Sequence, residues 1–531
     1  MSIKKASHKT YQYLALIIAF ALILRLIFFI GFVNWHGDDG VYINYLSEII
    51  ENKLRFDDYR NLSQDSNVSY SAVLRLRPML LYTTAFFFTL LGRNELATAF
   101  YQIILSTFGI ILIFHFGKMV FDKKIGLLAA FLLAFYPLDV ILATTVILPD
   151  LPLAFFLGLA LFLFLKAEKY KTKDAFKSKK TKLLLLSGIS IGLGYLIKPA
   201  ILVFISIILF LYVLVERKFL KSYIFIVLGL SLILIPEGIF YYSQSGDFFL
   251  NMHLQIDAFR DKYHIFETPI VLNITPNIKF SYTDGTPIFY ATSLFGYGFR
   301  EDAGNLFGYF YYFVVAAIIF SLFNKDKRTF FIILWLVSLF LYLEFGPVLV
   351  ELSNEGINYL LIFKNNKYTS ILTFPALLLL SYFLININRS ISLIIIIILL
   401  ITSIQNVALF SEFTSSAISN VRDAAAFLKE QPKKDIWVDP VSYGMFKYHF
   451  GFNQDYVLKL LYNYDIDKIK DAYILDGGSR GVYIHYSMIE NIHKEIISRL
   501  PQSWKIIKVF ENPFRMFEKN SLDMIIYYAP Q

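Results

Sequence analysis

From residue 11 to residue 410 the chain is a succession of apolar blocks of roughly 15 to 23 residues, of which YLALIIAFALILRLIFFIGFV (13–33) and ISLIIIIILLITSIQNVALF (391–410) are typical. A helix rising about 1.5 Å per residue needs about 20 residues to cross the roughly 30 Å apolar core of a bilayer. Inside that core every backbone N–H and C=O must find its partner within the protein, which restricts spanning segments to helices and closed barrels. Blocks of this length predict a polytopic α-helical membrane protein. The composition agrees: of 531 residues 56% are hydrophobic and only 17% charged, too apolar for a soluble chain. The first block lacks a small-residue cleavage site and reads as a retained span, not a removed signal peptide. Cysteine is absent, which excludes disulfides, thiolate catalysis and cysteine metal sites.

The net charge of +9 lies in short loops between the blocks, chiefly KAEKYKTKDAFKSKKTK (166–182), with KKASHK, KMVFDKK, ERKFLK and NKDKR elsewhere. Such loops face the cytoplasm, so the basic balance points to membrane lipids as partners and away from nucleic acid. With the N-terminus inside, the first span delivers residue 34 to the outer face, and KMVFDKK (118–124) must return inside. Two apolar segments lie between them. The first, 79–92, is short for a span and is expected to lie along the outer surface, so that 34–95 forms one external loop. Spans are then expected at about 11–33, 96–117, 125–147, 151–166, 183–197, 200–215, 223–240, 306–322, 329–345, 368–385 and 391–410. That is about 11 transmembrane helices, with a second external loop at 241–305. Beyond 410 the pattern changes. KDIWVDP, DAYILDGG, WKIIKVF and DMIIYYA read as strands, and VRDAAAFLKEQ and MIENIHKEIISRL as helices. The division expected is a transmembrane domain, 1–410, and a small extracytoplasmic α/β domain, 411–531, in a plasma-membrane protein. LDGGSRG in that tail departs from the dinucleotide-binding glycine pattern and reads as a strand-exit turn.

This topology gathers particular charges on the outer face. Asp38 and Asp39 follow the first span, Asp150 opens another in ILPDLPLAFF, and Asp139 lies near Pro137. Carboxylates at membrane depth are costly, and for the first three a function is the default reading. Asp139 reads equally well as a carboxylate solvated at a kinked helix end. Arg75, Arg77, Lys198 and Lys367 oppose the positive-inside tendency. Each alone can be a side chain snorkelling to headgroups; together with the carboxylates they describe a site that handles an anion and a proton.

The same residues carry a family resemblance. DDGVYINYLSEI is similar to the Asp-Glu-x-x-Tyr segment of the GT-C-fold integral-membrane glycosyltransferases of family 39, the protein O-mannosyltransferases and aminoarabinose transferases, with Asp38 at the Asp, Asp39 in place of Glu and Tyr42 at the Tyr. RPMLLY resembles their Lys-Pro-Pro-Leu-x-Tyr, with Arg77 for Lys, Met79 for the second Pro and Tyr82 at the Tyr. ILPDLPLAFF resembles the carboxylate that opens a later span, YLIKPAILV the basic residue before an apolar run, and NKYTSILTFPALLLL the Arg-Tyr span with Lys367 for Arg.

The resemblance implies transfer of a monosaccharide from a polyprenyl-phosphate donor to an extracytoplasmic acceptor, a protein, lipid or glycan, with inversion. Asp38 is then the general base, because an acceptor hydroxyl must lose its proton as it attacks, and Asp39 and Asp150 are its catalytic neighbours. Arg77 and Lys198, with Lys367 and Arg75 behind them, are expected at the donor phosphate, and Tyr42 and Tyr82 beside the substrate. No cofactor is expected; the alternative is a divalent cation, Mg²⁺ or Mn²⁺, on Asp38, Asp39 and Asp150. His36, beside Trp35, reads as a membrane-surface anchor. A second class of function, a transporter or lipid-linked sugar flippase, would place its charges near midplane in two similar halves. No internal repeat is visible, and the charges cluster at one rim.

Overall fold

The computed structural model describes residues 2–29, 42–43, 45–46, 49–50, 76–92, 94–144, 147–170, 178–217, 221–265, 270–275, 278–282, 309–353, 356–361, 366–438, 440–450, 456–460, 468–477, 501, 503–511 and 524–530. Its helices, in chain order, are α1 (Ser2–Ile27), α2 (Pro78–Leu91), α3 (Glu95–Val120), α4 (Lys123–Ala134), α5 (Pro137–Thr144), α6 (Asp150–Glu168), α7 (Lys179–Tyr195), α8 (Ile201–Glu216), α9 (Ile224–Ser245), α10 (Leu250–Ile265), α11 (Phe310–Asn324), α12 (Lys327–Phe345), α13 (Thr373–Asn386), α14 (Arg389–Glu430) and α15 (Pro440–His449). Among the described residues seven helices are long and apolar enough to cross a membrane, or eight if α4 and α5, bent by 53°, form one broken span. A helix or this broken pair falls at each of the eleven expected spans. The 14-residue α2, expected at the surface, rises only about 21 Å, well short of a bilayer core. The chain is a multi-pass helical membrane protein.

Helix starts are set by local chemistry, and most caps fall in the basic loops. Asp122, Ser178, Asp326 and Asn388 each accept a backbone N–H at the head of α4, α7, α12 and α14, satisfying donors that the helix cannot. Asp326 also accepts two hydrogen bonds from Arg328, which hold its carboxyl below the usual carboxylate range. Pro78 begins α2, where its missing N–H costs nothing. The inner helices α3, α6 and α13 are mostly buried, whereas α1, α9 and α14 present apolar side chains such as Leu16, Leu232 and Ile394 outward, as lipid-facing spans do. α7 and α9 meet backbone to backbone: a Cβ on Gly188 would lie 2.0 Å from the Ile226 carbonyl, and one on Gly229 2.1 Å from that of Leu185. That contact fixes the two helices that lead into the candidate site.

Two sheets complete the fold. Strands β1 (Ile270–Thr275), β2 (Ile278–Tyr282), β3 (Pro347–Ser353) and β4 (Gly356–Leu361) form one in the order β1-β2-β4-β3, with β2 and β4 parallel. It joins the segment after α10 to the segment after α12, so the expected loop at 241–305 carries a helix and two strands. β3 and β4 were not foreseen. The second sheet contains β5 (Asp435–Val438), β6 (Leu458–Leu460), β7 (Ala472–Gly477), β8 (Lys505–Phe510) and β9 (Met524–Ala529) in the order β6-β5-β7-β9-β8. Four of these are the strands read from the sequence; β6 is additional. The expected division at 410 falls inside α14, whose 42 residues run about 63 Å and end shortly before β5. Of LDGGSRG only Leu475–Gly477 are described, and MIENIHKEIISRL lies outside the described residues.

Candidate active site

Three chain segments bring charged residues together where helices begin or end. Asp150 is the first residue of α6 and is 1% exposed. There a carboxylate is favoured by the helix dipole. Lys198 lies in the turn between α7 and α8, where its backbone N–H donates to the Gly194 carbonyl at 2.9 Å. Its ammonium donates to Asp150 Oδ1 at 3.1 Å and stands 4.1 Å from the centre of the Tyr368 ring. Tyr368 and the buried Lys367 belong to a 3₁₀ helix, Asn366–Leu372, whose Ser370 hydroxyl donates to the Asp150 carbonyl at 3.2 Å.

Arg77, the residue before α2, is buried and donates to the Tyr42 hydroxyl. Its guanidinium also lies over the Tyr42 ring, 5.5 Å from the centre. The Met79 N–H donates to the Leu196 carbonyl at 3.3 Å, which ties the Arg77 segment to the Lys198 turn. Burial is the main influence on Lys198 and lowers its pKa; Asp150 opposes this, and the charges of Arg77 and Lys367 reinforce it. Arg77 and Lys367 thus bear on the ammonium that Asp150 holds, and among the described residues Asp150 Oδ2 is buried with no hydrogen-bond partner. Among the described residues positive charge is in excess here, which suits a phosphate.

Comparison with known proteins agrees with this geometry. Residues 77–240, which include Arg77, Asp150 and Lys198, match the family model described as dolichyl-phosphate-mannose-protein mannosyltransferase. The structure of ArnT from Cupriavidus metallidurans bound to undecaprenyl phosphate is similar over 98% of this chain and 99% of that one, with a TM-score of 0.63 and 12% identity. The apo oligosaccharyltransferase of Archaeoglobus fulgidus is similar over 86% of this chain and 65% of that one, with a TM-score of 0.55 and 13% identity. The chain has the GT-C glycosyltransferase fold. No curated protein matches it in sequence. The GT-C fold expected from the motifs is therefore found.

The structure places the sequence-derived residues unevenly. It brings Asp150, Lys198, Lys367, Arg77 and Tyr42 into one region. Tyr42 and the neighbouring Ile43, Tyr45 and Leu46 are helical and buried. Tyr82 is half-exposed on α2, with no polar partner among the described residues. Asp38, Asp39, Arg75 and His36 lie outside the described residues. Asp139 is not solvated: it accepts from Arg25 Nη2 at 2.5 Å and from the Ser106 hydroxyl. Arg25 escaped the sequence reading because one charge in a long apolar block resembles a tolerated exception. Glu237 and Asn251 escaped it too, because polar side chains with distant partners leave no local signal.

Proposed function

We propose that this chain transfers a monosaccharide from a polyprenyl-phosphate carrier to an acceptor outside the cytoplasm, with inversion at the anomeric carbon. The observation that carries the reading is the cluster of Arg77, Lys198 and Lys367 around Asp150 in a GT-C fold. The ArnT structure holds undecaprenyl phosphate, a lipid phosphate of the kind the proposed donor would release. In the proposed reaction Asp38 takes the proton of an acceptor hydroxyl as its oxygen bonds to the anomeric carbon. The bond from that carbon to the phosphate oxygen breaks, and the lipid phosphate leaves with an added negative charge. Arg77 and Lys198 neutralise that charge, Lys367 and Arg75 support them, and Asp150 holds the Lys198 ammonium in place. The proposal includes a plasma-membrane location with the N-terminus cytoplasmic, a transferase domain at 1–410 and an extracytoplasmic domain at 411–531.

A metal was the alternative for the carboxylates, and one structure of the Archaeoglobus fulgidus relative contains zinc and sulfate. Among the described residues no three His, Asp or Glu side chains converge. Asp38 and Asp39, the other two carboxylates of that alternative, lie outside the described residues, and Asp150 holds the Lys198 ammonium where a divalent cation would have to bind.

The test is incubation of the purified full chain with a panel of polyprenyl-phosphate sugars, following release of polyprenyl phosphate. Release with transfer to an added acceptor supports the reading. Movement of intact donor across a vesicle without bond cleavage would replace it with a flippase.

A further inference from the structure

We infer that Glu237 and Asn251 are positioning residues for the donor phosphate, a hydrogen-bonded pair that sets the spacing of Arg77 and Lys198. The inference rests on the reading that those two cations hold that phosphate. Glu237 lies on α9, immediately after Pro236. Its Oε1 accepts from Asn251 Nδ2 at 2.9 Å. The same nitrogen donates to the Leu76 carbonyl at 3.4 Å, the peptide unit that leads into Arg77. Asn251 Oδ1 accepts from Gln255 Nε2 at 2.8 Å, and Asn251 is 1% exposed. On its other side Glu237 lies beside the buried Tyr195, the last residue of α7 and three residues before Lys198.

One carboxylate is therefore tied to the Arg77 segment through Asn251 and the Leu76 carbonyl, and it packs beside the Tyr195 end of the helix that leads to Lys198. A partly buried carboxylate is costly to retain unless its lone pairs are used, and here its hydrogen-bonded partner leads to the site. Fixing the two segments in advance removes part of the ordering cost of phosphate binding, and misplacement of a binding group by about 1 Å is enough to forfeit much of its contribution. The close backbone contacts of Gly188 with Ile226 and of Gly229 with Leu185 hold α7 and α9 at the separation this requires. Asn251 and Gln255 belong to α10, so the arrangement also anchors the start of the 241–305 segment to Arg77.

The experiment titrates the full chain in detergent micelles with undecaprenyl phosphate and, separately, with undecaprenol, which lacks the phosphate. Glu237→Leu and Asn251→Leu are expected to weaken undecaprenyl phosphate binding about tenfold while undecaprenol binding is unchanged. Glu237→Gln retains acceptor capacity toward Asn251 and is expected to stay within about twofold of wild type. If Glu237→Leu weakened both lipids equally, the pair would serve only the fold and the inference would fail. Wild-type phosphate binding by Glu237→Leu alongside weak binding by Arg77→Ala would also end it, while leaving the donor site intact. Wild-type binding by both Arg77→Ala and Lys198→Ala would instead remove the donor-site reading.

Discussion

Among the described residues two clusters of charge stand out, and they are built in opposite ways. Around Arg25, in α1, charge and hydrogen bonding close on themselves. Its Nε donates to Ser106 at 2.8 Å, its Nη1 to the carbonyls of Ala21 and Ala134 at 3.0 Å, and its Nη2 to Asp139. Ala134 ends α4, and the bend into α5 leaves its carbonyl without a helical partner, so the arginine repairs the break. Around Asp150 the sum does not close among the described residues: Lys198 pairs with it while Arg77 and Lys367 add their charge to that of Lys198, and Asp150 Oδ2 has no hydrogen-bond partner there. A cluster that is neutral and satisfied holds helices together. One that carries excess charge at helix ends is prepared for a ligand of the opposite charge.

This contrast can be broken by experiment. The largest effect is expected at the catalytic base proposed for the cationic site: Asp38→Asn should lower transfer by roughly 10²- to 10⁴-fold with donor binding retained. A normal rate in that variant would remove the base from Asp38. If the cluster around Arg25 is purely structural, Arg25→Met should cost about 3 to 5 kcal/mol of stability by stranding Asp139, read as a lower melting temperature in detergent, while turnover per folded molecule is unchanged. Replacing Asp139 by Leu in the same chain should recover most of the loss. A stable but inactive Arg25→Met would place this cluster in the reaction. Lys198→Ala should do the converse, costing on the order of 2 to 4 kcal/mol in the transition state with little change in melting.

The smallest effect concerns a third buried group that belongs to neither cluster. His449, in α15, has a buried Nε2 with no hydrogen-bond partner among the described residues, and burial beside Arg422 and Lys429 lowers its pKa to about 4. The folded chain therefore resists a proton that the unfolded chain accepts near pH 6.5. Stability is unaffected by this group above about pH 6.5, falls as the pH drops toward 4, and levels off below, a change of roughly 1 to 3 kcal/mol. Melting curves between pH 7 and 4 should show it, and His449→Phe should flatten that part of the profile.

The sequence by itself determined that this is a helical membrane protein, because a run of apolar residues long enough to cross a bilayer has few other stable outcomes. It marked the four C-terminal strands β5, β7, β8 and β9 and the short α2 after Arg77, since both signals are local in the chain. It also nominated Asp150, Lys198, Arg77 and Lys367, because charges beside apolar runs stand out one residue at a time. Only the tertiary structure decided their partners. Lys198 meets Asp150 across 48 positions, Arg25 meets Asp139 across 114, and Asn251 reaches the carbonyl before Arg77 across 175. Pairings at such separations are set by how helices stack, and β3 and β4 escaped notice for the same reason, since β4 pairs with the distant β2. An ion pair has no periodicity to betray it, so the distinction between a satisfied cluster and an unsatisfied one became visible only after folding had brought the charges together.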